Sequence, residues 1–344
     1  MRKKTPPLAL SRLPEKTPPL NSVSTPCLPD FIESWLLSGD IQQHSPRTIE
    51  SRRERLRGLT WFLNQRQLQS CGVNEVRGFL HYLTHGHEEP GGRFGNPRLN
   101  RPVTPGTVKS YYSSIRTLFN WLVEEGVIET SPIERIKPPI DRPDQIVTFT
   151  LEECTRMCKA ARKGQHPNRD EGIILMMLDT GARVTEICEL KVSDVQMPAG
   201  KPGSITVNGK GGKKRTVPFS PATKRLVYEY LSERKEDDDL PEGQALWLSD
   251  RGRDTGGGLT RIGMLRLVKR VAAAANVAGK RCSPHTFRHT FAIEFLRSGG
   301  DVFTLKEILG HESLAMTNRY VAIAQADISA QHKKHSPVSK IKKR

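Results

Sequence analysis

Apolar positions recur at helical spacing along most of the chain. Phe31, Ile32, Trp35 and Leu36 mark a first helix that begins near Pro29. A second opens at Ser45-Pro46, a cap residue followed by proline in the first turn. It runs through Ile49, Leu56, Leu59 and Phe62, and a short third helix covers about 73–83. Gly, Pro and Asn crowd residues 84–103, which read as a loop. A long fourth helix follows from Thr104 to about Glu125, with Tyr111, Tyr112, Ile115, Leu118, Phe119 and Leu122 on its apolar side. Residues 29–137 therefore read as a bundle of at least four helices.

The pattern changes on both sides of this bundle. Residues 1–28 carry Pro6, Pro7, Pro14, Pro18, Pro19 and Pro26 among basic and polar positions and read as a flexible arm. Residues 138–147 hold Pro138, Pro139 and Pro143 and read as a stiff linker, because proline blocks both helix and sheet. A second domain over 148–335 opens with the capping-box pair Thr150 and Glu153. Ile173, Ile174, Met176, Met177 and Leu178 then predict a buried helix. Ile205–Val207 and Arg215–Pro218 predict two short strands joined by a Gly-Lys-Gly-Gly turn. Further helices are expected at about 220–233, 260–277, 284–298, 304–309 and 313–322, followed by a basic tail over 336–344. The fold class is mainly α with a small antiparallel β-sheet.

Length and charge narrow the function. The 344 residues predict two domains, and 36% hydrophobic content is enough for folded cores. A formal net charge of +17 points to a polyanion, with nucleic acid ahead of an acidic membrane. No run approaches the roughly 18 apolar residues of a spanning helix. Met1 to Leu28 lacks the apolar core of a secretory signal, so a cytoplasmic, nucleoid-associated protein is expected. The six cysteines are scattered and read as ordinary thiols. Neither Cys154 with Cys158 nor the cluster His81, His85 and His87 has the companions a metal site needs, and no metal is expected. Arg52, Arg53 and Lys109 are candidate phosphate contacts; the alternative is solvated helix-face charge.

Four segments carry candidate chemistry. In Leu178-Asp-Thr-Gly-Ala-Arg-Val-Thr-Glu-Ile187, Gly181 can end one helix and Arg183 open the next. Arg183 and Glu186 share a face, so the carboxylate can hold the guanidinium. Gly209-Lys-Gly-Gly-Lys-Lys-Arg215 puts lysines on a turn that could reach into a site. In His285-Thr-Phe-Arg-His289, His285 and Arg288 face one way beside a helix start and form a plausible anion site. In Leu309-Gly-His-Glu-Ser-Leu-Ala-Met-Thr-Asn-Arg-Tyr320, the tyrosine follows His311 by nine residues. Each segment alone reads equally well as a surface ion pair, a basic turn, a structural histidine or a packing tyrosine.

Together, in the order Arg, Lys, His-x-x-Arg, Leu-Gly-His, Tyr, they resemble the tyrosine recombinase or phage integrase family, in particular its Xer-like and transposon-encoded members. The resemblance covers about 148–335. It implies a C-terminal tyrosine recombinase catalytic domain and a helical, SAM-like core-binding domain at 29–137, though no motif in that bundle is diagnostic. The proline-rich arm and the Gly-rich loop depart from the most compact members.

The resemblance also implies a mechanism. Tyr320 attacks a DNA phosphodiester, while Arg183 and Arg288 offer planar forks to the non-bridging oxygens and His311 donates a further hydrogen bond. Glu186 orients Arg183, His285 accepts the phenol proton, and His289 braces the site. Lys210 protonates the leaving 5′-oxygen, with Lys213 and Lys214 as rivals on the same turn. A 3′-phosphotyrosine intermediate conserves the bond energy, so neither ATP nor any other cofactor is expected. The implied partners are double-stranded DNA, a homotetramer on two sites and an accessory DNA-bending or directionality protein. Residues 324–337 would form a segment that packs on a neighbouring protomer, or else folds back on its own domain.

Two other readings fit parts of this pattern. A type IB topoisomerase shares the Arg, Lys, Arg, His and Tyr chemistry but would relax supercoils without a defined site. A non-catalytic DNA-binding protein fits the charge but leaves the catalytic residue set unexplained.

Overall fold

The computed structural model describes residues 21–140, 145–209, 212–234, 243–250, 257–277 and 281–324, together with 332, 336 and 338. The chain divides into two compact units, Met1–Asp144 and Gln145–Arg344. The fold is mainly helical with small antiparallel sheets. Among the described residues no helix is long and apolar enough to cross a membrane.

In the first unit, β1 (Val23–Ser24) precedes α1 (Leu28–Ile41). Leu28, Ile32, Trp35, Leu36 and Gly39 form the buried stripe of α1. α2 (Pro46–Gln65) starts where Ser45 Oγ accepts the Thr48 N–H at 3.2 Å. β2 (Ser70–Cys71) pairs antiparallel with β1, with Val23 opposite Cys71. Residues 21–28, read from sequence as the end of the arm, are thus packed: Val23 and Leu28 join the core. A two-residue strand has no periodicity to betray it. Residues 1–20 lie outside the described residues.

α3 (Val73–His85) begins with the Glu75 carboxylate accepting the Gly72 N–H at 2.9 Å. The segment read as a loop at 84–103 contains two 3₁₀ turns, Gly86–Glu88 and Arg93–Gly95. Phe94 packs there against Trp61, Phe79 and Tyr82. The buried Arg93 donates to the Leu83 and Arg101 carbonyls, so main-chain acceptors rather than a carboxylate satisfy it. α4 (Pro105–Glu124) buries Val108, Tyr112, Ile115, Leu118, Phe119 and Leu122 in the same core. Each such side chain contributes roughly 1.5–3 kcal/mol over its exposed state.

The second unit packs by Ile146, inside the segment read as linker, and the Phe149 N–H donates to Thr290 Oγ1. α5 (Leu151–Arg162) carries the reciprocal cap of Thr150 and Glu153. α6 (Pro167–Thr180) is buried on nearly every side, as its unbroken apolar run predicted. α7 (Val184–Glu189) follows after three residues. β3 (Val195–Gln196), β4 (Gly203–Asn208) and β5 (Lys214–Phe219) form an antiparallel sheet in that order. The sequence pattern showed only the longer two. α8 (Pro221–Glu233), α9 (Arg261–Ala274), α10 (Pro284–Arg297), α11 (Val302–Leu309) and α12 (Leu314–Ala324) complete the unit. α6 packs against α5, α8, α10 and β5, while α10 also meets α12. One end of α10 is therefore held against the C-terminal end of α6 and the turn between α11 and α12.

Candidate active site

Two left-handed glycines shape this site. Gly181 ends α6 at φ +57°, and a Cβ there would lie 2.3 Å from Phe291 Cδ1. Gly310 ends α11 at φ +63°, and its missing Cβ leaves room for the Arg215 guanidinium. Both turns present carbonyl oxygens to arginines rather than to water.

Arg183 caps α7. Its backbone N–H donates to Glu186 Oε2 at 2.7 Å, its Nη1 to Glu186 Oε1 at 3.0 Å, and its Nη2 to the Gly310 carbonyl at 3.0 Å. The expected Arg183–Glu186 contact is thus present, but Glu186 also receives both terminal nitrogens of Arg215 at 2.8 Å. Burial opposes ionisation of Glu186. Hydrogen bonds from Arg215 and Arg183 outweigh it and hold the carboxyl below its ordinary value.

Arg288 lies in the first turns of α10 and is 5% exposed. It donates to the Gly181 carbonyl at 2.7 Å, the Leu309 carbonyl at 2.9 Å and His311 Nε2 at 2.9 Å. Burial and the nearby Arg183 lower its pKa to about 10, which still leaves it protonated at neutral pH. A guanidinium can only donate, so His311 Nε2 is the acceptor. His311 is then neutral and donates from Nδ1 to Thr317 Oγ1 at 2.9 Å. This corrects one expectation: the Nε2 of His311 is an acceptor tied to Arg288, not a donor held ready for a phosphate oxygen.

The Tyr320 hydroxyl lies 2.9 Å from His289 Nδ1, and its ring runs nearly parallel to that of His311. The residue is 5% exposed. Burial raises the phenol pKa, while Arg288 and Arg319 pull it down. The partner of Tyr320 is His289 and not His285, which corrects the assignment made from sequence. The two histidines sit one helical turn apart with ring centres 6.5 Å apart, and α12 brings the phenol to the later turn. His285 lies on the exposed side of α10, and partial loss of solvation followed by Arg288 and Arg261 lowers its pKa.

Both His289 and His311 are pushed down to about 4, chiefly by burial and then by neighbouring positive groups. At pH 7 both rings are neutral. The unfolded chain, with histidine near 6.5, takes up protons before the folded one does. The stability linked to these rings is therefore complete above about pH 6.5 and lost as pH falls toward about 4. Melting temperature is expected to fall over that window, and to fall less steeply in the double variant His289→Gln, His311→Gln. Equal slopes would show that the rings titrate normally.

The remaining candidates are spread more widely. Lys210 lies outside the described residues; the flanking strands β4 and β5 are paired, and the Gly209 N–H donates to the Lys213 carbonyl at 2.7 Å. In the first unit, Arg52 lines a cleft of about 420 Å³ with Arg47, Arg55 and the hydroxyls of Ser51, Ser110 and Ser113. Arg53 points elsewhere: Glu33 and Glu50 occupy its guanidinium at 3.1–3.2 Å. It is a surface ion pair, not a cation open to phosphate, and Arg47 and Arg55 stand in the cleft instead. Lys109 is exposed on α4 and does not line that cleft. His81 and His85 stack on each other, and among the described residues no group of three or more His, Cys, Asp or Glu is placed to hold a metal.

Sequence reasoning missed Arg215 and Thr317. The signal for Arg215 was available: in β5 it shares a face with the buried Val217 and Phe219, an inward position for a charge. Nothing in the sequence marks Thr317 as the partner of His311.

The model of the phage integrase family matches residues 148–327. Tyrosine recombinase XerC of Halalkalibacterium halodurans is 28% identical over 317 residues, covering 89% of this chain and 97% of that protein. XerC of Thermodesulfovibrio yellowstonii is 31% identical over 241 residues, 68% of this chain and 77% of the relative. The XerD recombinase of Listeria innocua is 27% identical over 68% of the chain and 77% of its own length. Among solved structures, XerH recombinase bound to a palindromic difH substrate in a post-cleavage complex superposes with a TM-score of 0.62 at 18% identity, covering 93% of this chain and 98% of that one. A lambda integrase dimer bound to a COC′ core site gives 0.63 at 18% identity, covering 87% and 77%. The chain belongs to the phage integrase family of tyrosine recombinases.

Proposed function

We propose that this protein is a site-specific DNA recombinase that cleaves and rejoins DNA through a 3′-phosphotyrosine intermediate on Tyr320. One observation carries the reading. Arg183, Arg288, His311 and Tyr320, drawn from three separated segments, meet around one end of α10, with the phenol on a neutral imidazole.

The chemistry follows from these positions. The Tyr320 oxygen attacks phosphorus, and its proton passes to His289 Nδ1, which is neutral at pH 7. Arg183 and Arg288 neutralise the charge that gathers on the non-bridging oxygens. Their carbonyl partners hold them in place beforehand, which avoids reorganisation during the reaction. His285, one helical turn before His289, bonds a phosphate oxygen in this reading. The bond from phosphorus to the 5′-oxygen breaks, and Lys210 protonates that oxygen. A 5′-hydroxyl from the exchanged strand then reverses the step, which inserts, removes or resolves a mobile element or replicon. Arg47, Arg52 and Arg55 contact the duplex backbone through the cleft on the first unit. Four protomers on two sites, an accessory DNA-bending or directionality protein, and a cytoplasmic, nucleoid-associated location complete the proposal. In it, 29–137 binds the core site, 148–335 carries catalysis, and 138–147 joins them.

The test is covalent capture. Full-length protein is mixed with nicked duplexes tiled across the flanks of its own gene and stopped with detergent. A DNA adduct that depends on Tyr320 supports the proposal. The division of labour between the histidines is checked on the same substrate. His289→Ala is expected to slow adduct formation by about 100-fold, the low end for general-base loss. His285→Ala should cost less. The reverse order would return the proton-accepting role to His285.

A further inference from the structure

We infer that Arg215 is a positioning residue of this active site, locking the β4–β5 sheet, the Arg183–Glu186 pair and the Leu309-Gly310-His311 turn into one geometry. The inference rests on the recombinase reading above.

Strand alternation turns Arg215 inward, with Val217 and Phe219, and its side chain is 14% exposed. All three guanidinium nitrogens are occupied. The terminal pair meets Glu186 Oε1 and Oε2 at 2.8 Å each, and Nε donates to the Ile308 carbonyl at 2.8 Å. The fork also fills the space beside Gly310: a Cβ on that residue would lie 2.9–3.1 Å from Nη1, Cζ and Nε. Three elements far apart in sequence therefore meet on one side chain.

Two consequences follow for the reacting groups. Glu186 is shared: Oε1 takes Nη1 of both Arg183 and Arg215, and Oε2 takes the Arg183 N–H and Arg215 Nη2. Without Arg215 the buried carboxylate has Arg183 as its remaining cation among these contacts, and the direction of the Arg183 fork is set differently. Ile308, Leu309 and Gly310 also offer successive carbonyls to Arg215, Arg288 and Arg183. Loss of the first clamp loosens the turn that aims the other two and carries His311. Arg215 has no nitrogen free of these contacts, so its loss acts on the rate and not on the hold on DNA. Lysine cannot replace it, because one ammonium cannot span a carboxylate and a carbonyl with this fork.

The test uses full-length protein and the nicked duplex on which the wild type is captured. Arg215→Gln is expected to slow single-turnover adduct formation by about 100-fold, as for a misplacement near 1 Å, with duplex affinity within about twofold of wild type. Arg215→Lys should remain at least about tenfold slow. The double variant with Glu186→Gln should be no slower than the slower single variant, because both act through one contact. Assays run below each variant's melting transition, so a purely structural role would lower the transition but spare the rate. If Arg215→Gln does not fold, Arg215→Lys decides. A wild-type rate in either folded variant, or additive losses in the double variant, overturns the inference. Absence of a Tyr320-dependent adduct in the wild type would instead overturn the recombinase reading.

Discussion

Tyr320→Phe is expected to abolish covalent capture on DNA while leaving fold and duplex affinity in place. The change removes one oxygen and keeps the ring that lies parallel to His311. In the proposed reaction the hydroxyl is the attacking atom, and among the described residues of the site no other side chain supplies an equivalent nucleophile. Adduct formation should fall by at least about 10⁴-fold, the scale seen when a covalent nucleophile is deleted. Stability should change little, since the lost hydrogen bond to His289 contributes about 1 kcal/mol. Detergent-resistant protein on a labelled nicked duplex reads the first effect, and a gel shift with a melt reads the second. Adduct at the wild-type level in the variant would place the nucleophile elsewhere.

Arg288→Lys should be the next most damaging change. It keeps the charge, so a loss would show that the fork itself matters. Arg288 serves the Gly181 carbonyl, the Leu309 carbonyl and His311 Nε2 at once, from a position almost sealed from water. An ammonium cannot meet all three and still face a phosphate. Single-turnover cleavage at saturating duplex is expected to fall by about 10²–10³-fold, the cost of one misplaced transition-state donor. Stability should also drop, by about 1–3 kcal/mol for buried acceptors left unpaired. Equal cleavage rates for the two proteins would mean that charge alone suffices.

Much of the helical order is legible in the amino-acid sequence. Ser45-Pro46 and Thr150 with Glu153 mark starts that the structure places at α2 and α5, because caps and first-turn prolines act locally. Gly181 and Gly310 are readable as helix ends for the same reason. The packing of 84–103 is not legible. Its order comes from Phe94 entering an aromatic cluster and Arg93 finding distant carbonyls, neither of which leaves a periodic trace. Arg53 is misread from sequence because a basic helix face looks the same whether or not a carboxylate from another helix covers it.

At the site, the family resemblance carried by the order of short segments is enough to name Arg183, Glu186, Arg288, His311 and Tyr320 as candidates, since the residue types and spacing that carry it are local properties. Which of them touch is a different kind of fact. His285 and His289 differ by one helical turn, and only the packing of α12 on α10 puts the phenol beside the later one. Glu186 was expected to serve one arginine and serves two, because β5 delivers Arg215 from 29 residues away. Pairings of this kind depend on how elements stack, and stacking is decided by buried surfaces contributed from the whole unit. Local sequence determines the helices, their caps and the reactive residue types. Tertiary structure alone decides the partner of each reactive atom.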